Sequence, residues 1–341
     1  MKNKITQNNW LITGGCGFIG NNLIKRLIKD RLGKKICILD NLRVGTIEDL
    51  ESVLIEFGNF SRTSSDTKIN YTFEMETHST IELLVGDIRN KKIVEDAIKD
   101  VNVVVHLAAN TGVGASVENP IQDMEVNVTG TLNLLEASRK NHVKQFIFAS
   151  SGATIGEVEP PVHEGKVPKP VSPYGASKLS GEGYCSAYYR AFGIKTISLR
   201  FGNVYGPLSR HKNSVVAMFM KRALNGKTLE IYGDGKQTRD FIYIDDLVDA
   251  IILASKTEIG GEVFQIATYK ETTINEIADA VKELIEKETD EKVNIVYRDC
   301  RPGDVKRNFS DISKARKILG FEPKYDLVAG LRKTFECFVH K

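Results

Sequence analysis

Short apolar runs recur through the first 200 residues, separated by segments of helical spacing. WLITGG leads into FIGNNLIKRLI (18–28), whose apolar positions fall at 18, 19, 23, 24, 27 and 28. That pattern predicts strand, tight turn and helix. KKICILD, IELLVGD, VNVVVHLAA, KQFIFASS and IKTISLR repeat the theme. Their apolar residues are continuous rather than alternating, as expected of strands covered on both faces. The pattern therefore predicts an α/β chain built on a Rossmann-like doubly wound parallel sheet.

Beyond Arg200 the rhythm changes. Gly-, Pro- and Asn-rich turns separate single helices such as VVAMFMKRALNG, and EVFQIA (262–267) reads as one more strand of the large sheet. Helices are expected near 274–287, 311–319 and 326–338, with a strand at VNIVYRD. The expected organisation is a first domain of residues 1–200 plus about 240–268, and a smaller C-terminal α/β lobe of 201–239 and 269–341. Residues 56–80 are polar and poor in core residues, which predicts a surface insertion or mobile loop.

With 41% apolar and 27% charged residues the chain has the balance of a globular protein, and 341 residues are too many for one compact core. A net charge of +3, spread evenly, argues against a nucleic-acid or membrane partner. The five cysteines show no metal-binding spacing, so no metal is expected, and their scatter suits a reducing cytosol. No secretory leader or apolar run of membrane-spanning length is visible, and a cytoplasmic protein is expected.

TGGCGFIG (13–20) carries Gly14, Gly15, Gly17 and Gly20 between a predicted strand and a predicted helix. In that setting glycines let the backbone approach a pyrophosphate, and the helix N-terminus offers N–H groups and a positive dipole. Phe18 and Ile19 open that helix, and Asp40-Asn41 end the next strand 20 residues after Gly20. A carboxylate there accepts bonds from an adenosine ribose and repels a 2′-phosphate, favouring NAD, whereas nearby Arg43 could accommodate that phosphate. Asp87-Ile88 and Ala108-Ala109 follow later strands, where an acidic group could reach adenine and small residues let a cofactor lie against the backbone.

SPYGASK (172–178) holds Tyr174 and Lys178 four residues apart. With 11 tyrosines in the chain, about one such spacing arises by chance, and Tyr232–Lys236 is a second instance. Tyr174 and Lys178 open a predicted helix and share one face of it, whereas Lys236 lies in a Gly-Asp-Gly turn. Ser151 ends the strand before that helix, on the cofactor side of a doubly wound sheet. A hydroxyl, a tyrosine made acidic by a lysine and a nicotinamide together suit removal of an alcohol proton while hydride leaves the same carbon.

These motifs, with DNL, GDIRN, HLAAN, RFGNVYGP, GDGKQTRDFIYIDDL and RPGDVKRNFSDISKARKILGF, resemble an extended short-chain dehydrogenase/reductase of the NAD-dependent nucleotide-sugar epimerase/dehydratase family. The similarity spans nearly the whole chain and is strongest to UDP-sugar 4-epimerases. It implies NAD as cofactor and a UDP-sugar as substrate, with Ser151, Tyr174 and Lys178 catalytic. It further implies that Asn203 lies beside sugar and diphosphate, that Val216 lines the nucleotide base, and that Arg239 and Arg301 grip the diphosphate. Guanidinium forks suit phosphate oxygens. Helices at 120–141 and 174–192 match the family's four-helix homodimer interface. Ile155 departs from the pattern by replacing a frequent Tyr.

The family's 4,6-dehydratases place Asp-Glu after the catalytic residue, and its decarboxylating members place a Glu there. Here Gly152 and Ala153 stand in those positions and have no proton to give. A 4-epimerase is the expected outcome. Asn203 in place of Thr disfavours glucuronate, and a small Asn308 at a gating position leaves room for an N-acetyl group. The alternatives are a UDP-glucuronate 4-epimerase, a dehydratase or reductase on another nucleotide sugar, and a non-catalytic NAD(H)-binding sensor.

Overall fold

The computed structural model describes residues 8–65, 70–75, 79–300 and 305–339. Its main sheet has nine strands, in the order Glu262–Ile266, Lys195–Phe201, Gln145–Ser151, Val103–His106, Asn8–Thr13, Gly33–Asp40, Thr80–Val85, Asn70–Met75 and Phe60–Ser65. Asn8–Thr13 pairs in parallel with Gly33–Asp40 on one side and with Val103–His106 on the other. Chain order reverses at that strand, which places a ligand crevice at the carboxyl ends of the strands around it. Leu11, Leu39, Val104, Phe146 and Phe148 from the sheet pack with Leu134 and Leu135 into one buried cluster. The doubly wound sheet expected from the apolar runs is the observed one.

The polar stretch at 56–80 departs from expectation. Phe60–Ser65 and Asn70–Met75 form an antiparallel hairpin, and Asn70–Met75 pairs antiparallel with Thr80–Val85. The sheet is thereby extended by two strands. The cause is the alternation in NYTFEM: Phe73 and Met75 are buried, while Thr72 and Glu74 on either side of Phe73 are more accessible. Phe73 also meets Phe60 edge to face at 5.5 Å between ring centroids. Few apolar residues suffice when every second one faces inward. Residues 66–69 and 76–78 of this stretch lie outside the described residues.

The chain divides into two compact units, one of residues 1–156, 168–200 and 251–264, the other of 157–167, 201–250 and 265–341. The expected span 240–268 is thus shared, with 251–264 in the first unit and the remainder in the second. Within the second unit, short strands pair as Asn203–Tyr205 with Phe241–Tyr243, Leu229–Tyr232 with Ile295–Arg298, and Thr238–Arg239 with Thr272–Thr273. Buried Asp240 ties three segments of this unit together, accepting bonds from the amides of Thr268 at 2.8 Å, Tyr269 at 3.0 Å and Ser310 at 3.2 Å. The tail helices are Ile274–Glu288, Ser313–Leu319 and Leu327–Val339.

The hairpin reading is testable. Phe73→Ala should cost about 3–5 kcal/mol of stability in chemical denaturation, because the ring is fully buried. A change within about 0.5 kcal/mol, normal for a surface loop, would contradict it.

Candidate active site

The strand Asn8–Thr13 ends in a glycine turn whose geometry excludes side chains. Gly14 has φ +69°, and a Cβ there would lie 2.8 Å from the Ala108 amide nitrogen. A Cβ on Gly20 would lie 2.4 Å from the Gly15 carbonyl oxygen. Gly17 caps helix Phe18–Lys29 without any side-chain hydrogen bond to its first amides. Those amides and the helix dipole favour an anionic group at this end. Phe18 and Ile19, half-buried, form the first turn behind them.

Asp40 ends the neighbouring strand, and its carboxylate accepts the Cys16 amide at 3.0 Å and the Leu42 amide at 2.8 Å. Burial pushes its carboxyl up from the ordinary value, against those two amides. Each oxygen keeps a second lone pair, so the group can still accept from a ribose while it pins the glycine turn. Asn41 is exposed and accepts the Arg43 amide at 3.1 Å. Asp87 is gripped by the Arg89 guanidinium, which holds its carboxyl below the usual range. Ile88 is buried, while half-buried Ala108 donates its amide to Thr13 Oγ1 at 3.2 Å and half-buried Ala109 follows. The glycine-capped helix end, the close-packed glycine turn and the strand-end carboxylate together fit a dinucleotide.

The other half of the constellation is built by two elements of the same unit. Strand Gln145–Ser151 ends in Ser151, and helix Pro173–Phe192 starts at a proline after Ser172, which caps it by accepting the Gly175 amide at 3.1 Å. This helix presses close: a Cβ on Gly175 would lie 2.4 Å from the Ala153 carbonyl, and one on Gly181 would lie 2.4 Å from the Phe148 ring. The Ser151 hydroxyl neighbours the Tyr174 phenol and favours its ionised form. Lys178 is buried, donates to the Ala149 carbonyl at 2.9 Å, and its ammonium lies 4.9 Å from the Phe148 ring centroid and 5.9 Å from that of Tyr174.

Burial pushes the Tyr174 phenol up to about 12, against the Ser151 hydrogen bond, with the Asp123 carboxylate adding to the rise. Burial lowers the Lys178 ammonium to about 8, opposed by Asp123, Cys185 and Glu182. In the protein alone, burial thus outweighs the acidifying effect expected of Lys178 on the phenol. Neutral Tyr174 beside charged Lys178 is the state at neutral pH.

Three buried polar groupings around these residues were not anticipated from sequence. Asn127 donates to Asp123 Oδ1 at 3.0 Å, to Ser177 Oγ at 3.1 Å and to the Asn110 carbonyl at 3.1 Å. It sits in a π-helical turn, Glu125–Thr129, a departure frequent at functional sites. His106 bridges Thr13 at 2.7 Å and Thr131 at 2.9 Å, and burial holds its imidazole well below the ordinary value. Glu182 takes Arg200 in a fork at 2.8 and 2.6 Å and Ser150 at 2.5 Å. Polar residues spaced three or four apart in PIQDMEVNVTG were the available signal, one that solvent-facing helices share.

The predicted substrate residues are in the second unit. Asn203 begins a short strand and is exposed, and Val216 is buried in helix Val215–Leu224. Arg239 donates from Nη1 to the carbonyls of Thr238 and Val305, each at 2.7 Å. Asn308 is half-buried, and Arg301 lies outside the described residues. Tyr232 ends a strand while Lys236 is exposed in a turn, 4.0 Å from Asp234. Ile155, at the departure from the family pattern, is fully buried in the first unit.

The model of the NAD dependent epimerase/dehydratase family matches residues 10–267. A curated relative, the putative UDP-glucose 4-epimerase of Methanocaldococcus jannaschii, is 36% identical over 95% of this chain and 96% of its own. The solved UDP-N-acetylglucosamine 4-epimerase of Methanobrevibacter ruminantium M1, in complex with UDP-N-acetylmuramic acid, superposes with a TM-score of 0.84 at 32% identity, covering 98% of this chain and 99% of that one. The UDP-glucose 4-epimerase of Thermotoga maritima with UDP-glucose gives 0.83 at 35%, covering 97% and 98%.

The glycine turn makes a direct prediction. Gly20→Ala should weaken NAD binding at least about tenfold, ~1.4 kcal/mol, measured as cofactor released on denaturing the purified protein and by titration calorimetry. Unchanged affinity would contradict the close approach around Gly15.

Proposed function

We propose that this chain, which belongs to the NAD dependent epimerase/dehydratase family, is an isomerase that inverts C4 of a UDP-sugar through a transient 4-keto sugar. The substrates proposed are the UDP-N-acetylglucosamine/UDP-N-acetylgalactosamine pair, the UDP-glucose/UDP-galactose pair, or both. The observation that carries this reading is Tyr174 beside Ser151 and buried Lys178, with Gly152 and Ala153 as the next residues along the strand end.

Bound NAD supplies the acceptor for the two electrons leaving C4 and returns them in the second half of the cycle. As the phenolate, which the Lys178 ammonium stabilises, Tyr174 accepts the C4 hydroxyl proton; as the phenol it gives that proton back to the ketone oxygen, and Ser151 hydrogen-bonds the same oxygen in both halves. A dehydratase or decarboxylase step needs a further acid or a carboxylated sugar. Glycine and alanine cannot donate a proton, so the keto sugar is left to rotate and be reduced on its other face.

On the substrate side, Arg239 and Arg301 are proposed to hold the diphosphate, Asn203 the sugar and diphosphate, and Val216 the base. Asn308 is proposed as the residue whose small size admits an N-acetyl group. Names of relatives with both plain and N-acetylated sugars are consistent with this. A homodimer is proposed through helices at 120–141 and 174–192, where Ile121, Met124, Tyr184 and Phe192 are exposed apolar residues. A cytoplasmic setting is proposed as well; among the described residues no helix is long and apolar enough to cross a membrane.

A panel of UDP-sugars, with C4 epimers resolved by chromatography, tests the reaction. Formation of epimers supports it; a uronate as sole substrate, a deoxy-keto product or no turnover would point respectively to the glucuronate epimerase, the dehydratase or the sensor. Tyr174→Phe should lower kcat by at least about 100-fold with NAD still bound, and epimerisation at the wild-type rate would contradict the proton role. Asn308→Tyr should depress kcat/KM for N-acetylated sugars selectively. Equal losses on both sugar classes would contradict the gate.

A further inference from the structure

Lys178 is a buried cation, and a buried charge is tolerated only when compensated. Among the described residues its one hydrogen bond, to the Ala149 carbonyl, is to a neutral group. The charged or titratable groups that act on it or sit beside it come from several elements. Glu182, Cys185 and Tyr174 lie on its own helix, Pro173–Phe192, and His106 ends strand Val103–His106. Strand Gln145–Ser151 offers only the Ala149 carbonyl and the Phe148 ring. Asp123 comes from helix Pro120–Met124.

Most of these cannot supply the missing negative charge. Burial keeps His106 neutral and the Cys185 thiol protonated, and Tyr174 is a neutral phenol in the resting protein. Glu182 is a carboxylate, but Arg200 from the adjoining strand Lys195–Phe201 takes both its oxygens, and Ser150 takes one of them as well. Glu182 and Arg200 cancel each other.

Asp123 remains. It is 1% exposed, and among the described residues Oδ1 accepts only Asn127 Nδ2 and Oδ2 has no hydrogen-bond partner. Asn127 also donates to Ser177 Oγ, whose hydroxyl donates to the Tyr174 carbonyl at 3.0 Å, so Asp123 is stitched to the residue next to Lys178 in the chain. We infer that Asp123 is the counter-charge of Lys178, a positioning residue that holds the ammonium in place beside Tyr174 without touching substrate.

The direction of its electrostatic effect agrees: Asp123 raises both the Lys178 and the Tyr174 proton affinity. The inference concerns the resting protein. It therefore stands or falls apart from the identity of the sugar.

A double-mutant cycle read by calorimetric melting of the NAD-bound full chain tests it. Asp123→Asn in the wild-type background should lower Tm by at least about 3 °C. In a Lys178→Met background, where Asp123 is the charge left alone, the same change should leave Tm unchanged or raise it. Equal losses in both backgrounds would overturn the pairing and leave Asp123 a local helix contact. If Asp123→Asn alone fails to fold, a folded Asp123→Asn/Lys178→Met protein supports the pair, and an unfolded one overturns it. A second readout uses Asp123→Glu and Asp123→Asn in the pH profile of kcat/KM. The Asn variant should shift the Tyr174/Lys178 limb to lower pH, with Glu restoring part of the shift; superimposable profiles would contradict the inference.

Discussion

An ammonium group held out of water against the end of a parallel strand is the constraint on which the site depends. Lys178 reaches the Ala149 carbonyl only because helix Pro173–Phe192 lies hard against the strand that ends in Ser151. That closeness requires glycine at 175 and 181, where any side chain would strike the Ala153 carbonyl or the Phe148 ring. The same contact sets the Tyr174 hydroxyl on Ser151. Packing and chemistry therefore share one cause: the register of a single helix on a single strand.

The glycine turn solves a related problem at the neighbouring strand. Gly14 and Gly20 have no room for side chains, and the helix end is capped by Gly17, which has none. Asp40 fixes the turn from the next strand by binding two amides. A close-packed glycine backbone at the positive end of a helix is what a pyrophosphate requires. Both halves of the first unit's site lie at carboxyl ends of strands, where the topology opens a crevice.

The fold was legible because the apolar runs were continuous and the turns were marked by glycine, as in WLITGG and KQFIFASS. The placement of Tyr174 and Lys178 on one helix and of Ser151 at a strand end is legible because helical spacing and strand ends are local properties. The hairpin at 60–75 resembles a surface insertion or mobile loop in sequence because its buried residues, among those described, are Phe73 and Met75, too few to register in composition. The Asp123–Asn127–Ser177 and Glu182–Arg200–Ser150 groupings were invisible for another reason. Their partners come from elements far apart in the chain, and polar residues in a helix ordinarily face water. The ordering of effects on Tyr174, with burial ahead of its neighbours' charges, likewise depends on depth that no spacing encodes.

The central claim is that the site takes a hydrogen from C4 and returns that same hydrogen. A UDP-sugar deuterated at C4, incubated in ordinary water and followed by proton NMR and mass spectrometry, tests it most directly. The account predicts the C4 epimer with deuterium retained at C4 and no accumulation of NADH. Loss of deuterium to solvent, stoichiometric NADH or a dehydrated product would contradict it.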